Sequence, residues 1–181
     1  MIHLSAKSAV LANLLRVADE TMKLLLVCSS GGHFKTLLQL QPFWSLHQRT
    51  WVSFDTPTTR SALKHEQVVW AHSPTNRHVP NLLRNTLLAW NVLLSYRPDV
   101  IVSTGAGVAV PFLILGRLLD KHTVFVESVT RIETLSLSAK LVLPFLDTLY
   151  VHWPQLQDRY SRAELIGATR KPSIATAGLD D

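Results

Sequence analysis

Lys23-Leu24-Leu25-Leu26-Val27-Cys28-Ser29-Ser30-Gly31-Gly32-His33 (KLLLVCSSGGH) is the stretch whose reading decides the fold class. Its first six residues form an apolar run without polar alternation, as in a strand buried on both faces of a parallel sheet. Ser-Gly-Gly breaks the run, and Phe34, Leu37, Leu38 and Gln41 then recur at helical spacing. Strand, turn and helix follow one another here, and the rest of the chain repeats the pattern. Thr50–Phe54 and Gln67–Ala71 read as short strands, with a short helix over Thr56–Lys64 begun by Pro57 between them. Val79–Tyr96 is a long helical pattern ended by Pro98. Further strands are expected at Val100–Ser103, Thr123–Glu127, Thr148–Val151 and Ala163–Ile166. Helices are expected at Val108–Leu119, Glu133–Phe145 and Gln155–Tyr160. Such alternation predicts a three-layer α/β domain, with a mostly parallel sheet covered by helices on both faces.

The chain has 181 residues, enough for one domain with a good core. Apolar residues make up 47% and charged residues 17%, which excludes a disordered chain. The one cysteine, Cys28, excludes a disulfide framework and a cysteine-based zinc site, and fits a reducing, cytosolic setting. The remaining histidines show no HxH or HExxH spacing, so neither a metal nor a cofactor is expected. The longest charge-free run, Val100–Gly116, is interrupted by Ser103, Thr104, Gly105, Gly107 and Pro111, so no transmembrane helix is expected. Residues 1–21 read as an extension. Within it, Ala9, Leu11, Ala12, Leu15 and Ala18 suit a modest amphipathic helix. The folded domain is expected over residues 22–167 and a flexible tail over 168–181.

In the long helix, Val79, Leu82, Leu83, Leu87, Trp90 and Leu94 make one stripe, and Leu88 and Val92 widen the apolar surface beyond one face, so that the helix is apolar on too many sides for a core packing alone. Residues 49–97 carry a net +4 of the chain's +5. A basic region around an apolar helix suits an anionic bilayer surface, or simply a solvated face. No compact Lys/Arg cluster with interleaved aromatics points to nucleic acid.

Ligands of open α/β sheets bind outside the carboxyl ends of the strands, and three informative stretches fall there. Ser29-Ser30-Gly31-Gly32-His33 offers close backbone approach, hydroxyl donors and the amides of a helix start. His33 can donate to phosphate or act as a general base, or it can merely cap the turn. Ser103-Thr104-Gly105-Ala106-Gly107 repeats the design after the fourth main strand. Neither stretch matches the dinucleotide or P-loop glycine patterns. Glu127-Ser128-Val129-Thr130-Arg131 crowds a carboxylate, two hydroxyls and a guanidinium onto one strand end. Arg131 suits a phosphate. Glu127 can accept sugar hydroxyls, orient His33 or act as a base, and a loop-tying Glu–Arg pair is the plain alternative.

In this order and spacing, Ser30-Gly31-Gly32-His33, Ser103-Thr104-Gly105-Ala106-Gly107 and Glu127-Ser128 with Arg131 carry a resemblance, as does Tyr150-Val151-His152-Trp153-Pro154. The chain resembles the family that joins the bacterial exopolysaccharide protein PssD with the membrane-anchoring subunit of the eukaryotic two-part N-acetylglucosaminyltransferase. The resemblance implies a Rossmann-like domain equivalent to the N-terminal half of a GT-B glycosyltransferase. It implies a subunit that binds a polyprenyl-diphosphate sugar acceptor at the cytoplasmic face of a membrane. A separate donor-binding subunit of GT-B C-terminal type would complete a heterodimer and bring the UDP-sugar. Under that resemblance His33 and Glu127 are the candidate catalytic pair. Ser29, Ser30, Gly31, Gly32, Thr104, Gly105, Ala106, Gly107, Ser128 and Arg131 are the candidate diphosphate ligands. The competing expectation is a docking subunit without a catalytic part.

Overall fold

A computed structural model describes residues 21–75 and 78–166. The amphipathic helix read near the N-terminus and the tail read over 168–181 lie outside the described residues. Seven strands form one sheet: β1 (Lys23–Cys28), β2 (Gln48–Phe54), β3 (Val68–Ala71), β4 (Val100–Gly105), β5 (His122–Val126), β6 (Thr148–Val151) and β7 (Ala163–Leu165). Their order is β3-β2-β1-β4-β5-β6-β7, and every neighbouring pair is parallel. The helices are α1 (Gly32–Leu38), α2 (Gln41–Trp44), α3 (Pro57–Ala62), α4 (Val79–Tyr96), α5 (Ala109–Leu118), α6 (Leu137–Val142) and α7 (Pro154–Arg159). The domain is Rossmann-like.

The two-residue period of a strand sends alternate side chains to opposite faces. Leu24, Leu26 and Cys28 of β1 pack with Phe34, Leu37, Phe43, Trp44 and Trp51 on one face. Leu25 and Val27 pack with Ala89, Leu93, Phe112 and Leu113 on the other. Because β1 is buried on both sides beyond its first residue, Lys23, it carries no outward polar residue from Leu24 on, and the unbroken Leu-Leu-Leu-Val run reflects that.

One expectation is corrected. The helix read over Glu133–Phe145 begins at Leu137 and passes into a 3₁₀ turn at Leu143–Phe145. Its first turn is lost because the Ser136 amide donates to the Glu127 carboxylate at 2.7 Å. The Ser136 hydroxyl then caps the helix by accepting the Ala139 amide at 3.3 Å. A further finding concerns α4. Its bounds match the sequence pattern, but the apolar stripe faces outward: Val79, Leu83 and Leu87 are 64%, 61% and 67% exposed. The buried face consists of Asn81, Asn85, Ala89, Val92 and Leu93. Ala89 is small enough for close packing on the layer below, and the two asparagines meet polar backbone rather than a core. Among the described residues no helix is long and apolar enough to cross a membrane.

Candidate functional site

β1 and β4 are neighbours, yet the chain leaves them in opposite directions. After β1 it enters α1 on one face, and after β4 it enters α5 on the other. This divergence makes the carboxyl ends of the two strands the switch point of the sheet, where open α/β folds place the crevice that binds ligands. The Ser29–His33 turn and the Ser103–Gly107 turn form its two lips.

The lips are fastened together at His33. Its Nδ1 lies 2.6 Å from the Thr104 carbonyl oxygen. A carbonyl only accepts, so Nδ1 carries a proton, and the lone pair available to the ring as a base is that of Nε2. In return the Thr104 hydroxyl donates to the His33 carbonyl at 2.7 Å. Gly105 makes this approach possible. A Cβ there would stand 2.9 Å from His33 Cε1 and 3.0 Å from Nδ1, and the residue's φ is +116°. Ala106 also has positive φ, +75°, so the turn is sharply bent. On the facing lip Gly31 has φ +82° and precedes α1, whose first-turn amides have no partner within the helix. The Ser29 hydroxyl donates to the Ser30 carbonyl at 3.2 Å.

The third stretch lies on the adjacent strand end. Glu127 is 1% exposed. Its Oε1 accepts the Ser128 amide at 2.8 Å and its Oε2 the Ser136 amide at 2.7 Å. Both oxygens therefore serve to hold the loop between β5 and α6. Among the described residues no ion pair joins Glu127 to Arg131. Ser128 Oγ lies 2.9 Å from Thr130 Oγ1, and Arg131 is exposed, with its amide donating to the Ser128 carbonyl at 3.0 Å. Trp153 pins the same loop by donating its indole N–H to the Val129 carbonyl at 2.7 Å. Burial pulls the neighbouring His152 below the ordinary histidine range, and the Glu127 backbone and charge oppose that pull. The structure thus joins the first two stretches by direct contact. The third reaches the crevice through β5, where Phe125 Cζ is 3.4 Å from the Cβ position of Gly105.

One strand-end segment went unread in the sequence. The loop from His72 toward α4 packs on the Ser103–Gly107 turn, with Thr75 Cβ, O and Oγ1 each 3.3 Å from the Cβ position of Gly107. The Ser73-Pro74 pair after a short strand was the local signal for it. A cavity of about 640 Å³ lies elsewhere, at the amino ends of β6 and β7. Its lining mixes Arg117 and Arg162 with Asp147 and Glu164, so the charges offset. On the outer side of the domain, α4 exposes Leu82, Trp90 and Leu94 along with the residues above. No acidic residue occurs between Glu66 and Asp99.

A family described as "Oligosaccharide biosynthesis protein Alg14 like" matches residues 70–169, from β3 through β7. The UDP-N-acetylglucosamine transferase subunit ALG14 of Yarrowia lipolytica is 30% identical over 183 residues, covering 85% of this chain and 84% of the relative. The Schizosaccharomyces pombe subunit alg14 is 47% identical over 75 residues, 39% of this chain and 36% of that protein. Among solved structures, MurG of Acinetobacter baumannii superposes with a TM-score of 0.65 at 17% identity. That likeness is one of fold; it covers 82% of this chain but only 47% of the MurG chain.

Proposed function

Because the chain belongs to the Alg14-like family of oligosaccharide biosynthesis proteins, we propose that it is the acceptor-side subunit of a two-part UDP-N-acetylglucosamine transferase. The acceptor is a sugar carried on a polyprenyl diphosphate. The donor is held by a partner subunit that closes over the crevice. The printed description of the Yarrowia lipolytica relative as a transferase subunit supports this division.

The observation that carries the reading is the fastening of His33 to Thr104 across the β1/β4 crevice. With Nδ1–H committed to a carbonyl, Nε2 is the free base of the site. It takes the proton of the acceptor hydroxyl as that oxygen attacks the anomeric carbon. The bond from that carbon to UDP breaks, and UDP leaves with the electron pair. The amides of Ser30, Gly31, Gly32, Ala106 and Gly107, the Ser128 hydroxyl and the exposed Arg131 surround the acceptor diphosphate, while the Ser29 and Thr104 hydroxyls are held by the Ser30 and His33 carbonyls and the Gly105 amide by Ser103 Oγ. Glu127 acts by position. Its two carboxylate oxygens are taken by backbone amides, so it sets the loop bearing Ser128 and Arg131 and moves no proton.

The outer face of α4 attaches the subunit to an anionic bilayer surface. Each exposed leucine gains roughly 1–2 kcal/mol on leaving water. Arg84, well inside the acid-free stretch between Glu66 and Asp99, suits lipid phosphates.

The test is transfer in the two-chain complex. With donor-binding partner, UDP-N-acetylglucosamine and a polyprenyl-diphosphate sugar, His33→Ala lowers kcat at least about 100-fold, within the usual range for a lost general base. Melting temperature falls by no more than about 2–4 °C, the worth of the one lost hydrogen bond, and partner binding stays unchanged. Near-normal turnover by that variant removes His33 as base and favours a docking subunit whose partner carries the chemistry.

A further inference from the structure

The buried face of α4 is apolar at Ala89, Val92 and Leu93 but polar one and two turns earlier, at Asn85 and Asn81. Asn85 is fully buried. A buried carboxamide costs free energy unless it is hydrogen-bonded, and a leucine there would serve the core as well. Both ends of the Asn85 amide are used on one target. Its Oδ1 accepts the His72 amide at 2.9 Å, and its Nδ2 donates to the His72 carbonyl at 2.9 Å. The pairing imitates one rung of a ladder on the residue that follows β3, the edge strand. Four residues earlier on the same helix face, Asn81 Nδ2 donates to the Pro74 carbonyl at 2.9 Å. His72, Ser73 and Pro74 are otherwise exposed. Two buried amides are therefore spent on fixing a short surface loop.

The other side of that loop meets the crevice. Thr75 packs on Gly107 with three atoms at 3.3 Å from where a side chain would begin, so the fit depends on glycine at that position. Gly107 lies two residues from Gly105, against which the His33 ring packs. A continuous path of contacts runs from α4 through Asn85, His72 and Thr75 to the turn that fastens His33.

We infer that Asn85, seconded by Asn81, is a positioning residue that holds the His72–Thr75 loop against Gly107 as a fourth wall of the acceptor site. The inference rests on the acceptor-subunit reading above. The wall brings the Thr75 hydroxyl to the rim of the Thr104–Gly107 turn, where a diphosphate or a sugar hydroxyl would be held. Neither asparagine touches the ligand.

The experiment uses the two-chain complex and compares wild type with Asn85→Ala and Thr75→Val. Asn85→Ala frees the His72 amide and carbonyl. It should raise KM for the polyprenyl-diphosphate sugar about tenfold, with kcat and the KM for the UDP-sugar within about twofold. Amide hydrogen exchange at His72 and Thr75 should accelerate. A purely structural role would lower melting temperature and active fraction without moving the acceptor KM. Thr75→Val keeps the clamp and removes only the hydroxyl, so it tests the wall even if Asn85→Ala folds poorly. It should raise the acceptor KM several-fold. An active wild type with acceptor KM unchanged in Thr75→Val, or in an Asn85→Ala that folds, overturns the inference alone. A wild-type complex that transfers no sugar overturns the acceptor-subunit reading and the inference with it.

Discussion

Replacing Gly105 by alanine should damage this protein in two separable ways. The first is backbone strain. At φ +116° an L-residue is held in a region that costs roughly 1–3 kcal/mol. The second is the clash with His33, whose Cε1 and Nδ1 lie 2.9 and 3.0 Å from the new Cβ, with Phe125 Cζ behind at 3.4 Å. The phenyl ring is fully buried and cannot retreat, so the imidazole must swing away. That movement breaks its 2.6 Å bond to the Thr104 carbonyl, at a cost of about 1 kcal/mol. Together the two effects come to about 2–4 kcal/mol, or a melting temperature lower by about 4–16 °C for a chain of this size. Gly32→Ala is the internal control. Nothing lies within 4 Å of its Cβ position and its φ is ordinary, so it should melt within about 2 °C of wild type. Gly31→Ala, with φ +82° in open space, carries the strain without the clash and should fall between. Thermal unfolding of the three variants, each with the partner subunit, gives the ranking, and the transfer assay gives the second readout. Gly105→Ala should lose as much activity as His33→Ala, because both dislodge the same ring. If Gly105→Ala melts with Gly32→Ala and remains active, the fastening of the two turns is not what the structure implies.

Three further outcomes follow from buried groups. Burial holds His47 and His152 below the ordinary histidine value of 6.5, so below that pH the unfolded chain binds more protons than the folded one. Stability should therefore be lost as pH falls from about 6.5 toward 5, seen as a lower urea midpoint, with a shallower loss in His47→Gln/His152→Gln. Cys28 is buried and its thiol is pushed up to about 12, so alkylation at pH 8 should be negligible until the chain unfolds. Labelling at a rate near that of an exposed cysteine would contradict its place in the core. Glu127→Gln turns an amide N–H₂ toward one of two backbone donors and should cost about 1–3 kcal/mol, with faster hydrogen exchange across residues 128–136. Wild-type exchange in that variant would refute the clasp.

The strands were legible because residues buried on both faces leave an apolar run with nothing to alternate against, as in Leu24–Val27 and Val100–Val102. The limits of α4 were legible from its spacing and from Pro98. Its orientation was not. A stripe at helical period marks one face but does not say whether that face meets a core or solvent, and the opposite face of α4 hides two asparagines whose partners lie earlier in the chain. The start of α6 was illegible for a related reason, since the Ser136 amide is claimed by Glu127, nine residues away. The Ser29–His33 and Ser103–Gly107 turns could be picked out singly by their glycines. Their meeting depends on β1 lying beside β4, a pairing that spans more than seventy residues. Glu127 and Arg131 invited a pairing by proximity that the backbone amides pre-empt.

The central claim is that the acceptor diphosphate sits in the crevice between β1 and β4. Hydrogen–deuterium exchange on the two-chain complex, with and without a short-chain polyprenyl-diphosphate sugar, tests it most directly. Protection should appear at Gly31–Phe34 and Thr104–Gly107, in His33→Ala as in wild type, since that variant loses the base and keeps the diphosphate ligands. Protection centred instead on the cavity of Arg117 and Arg162, with both glycine turns unchanged, would contradict the account.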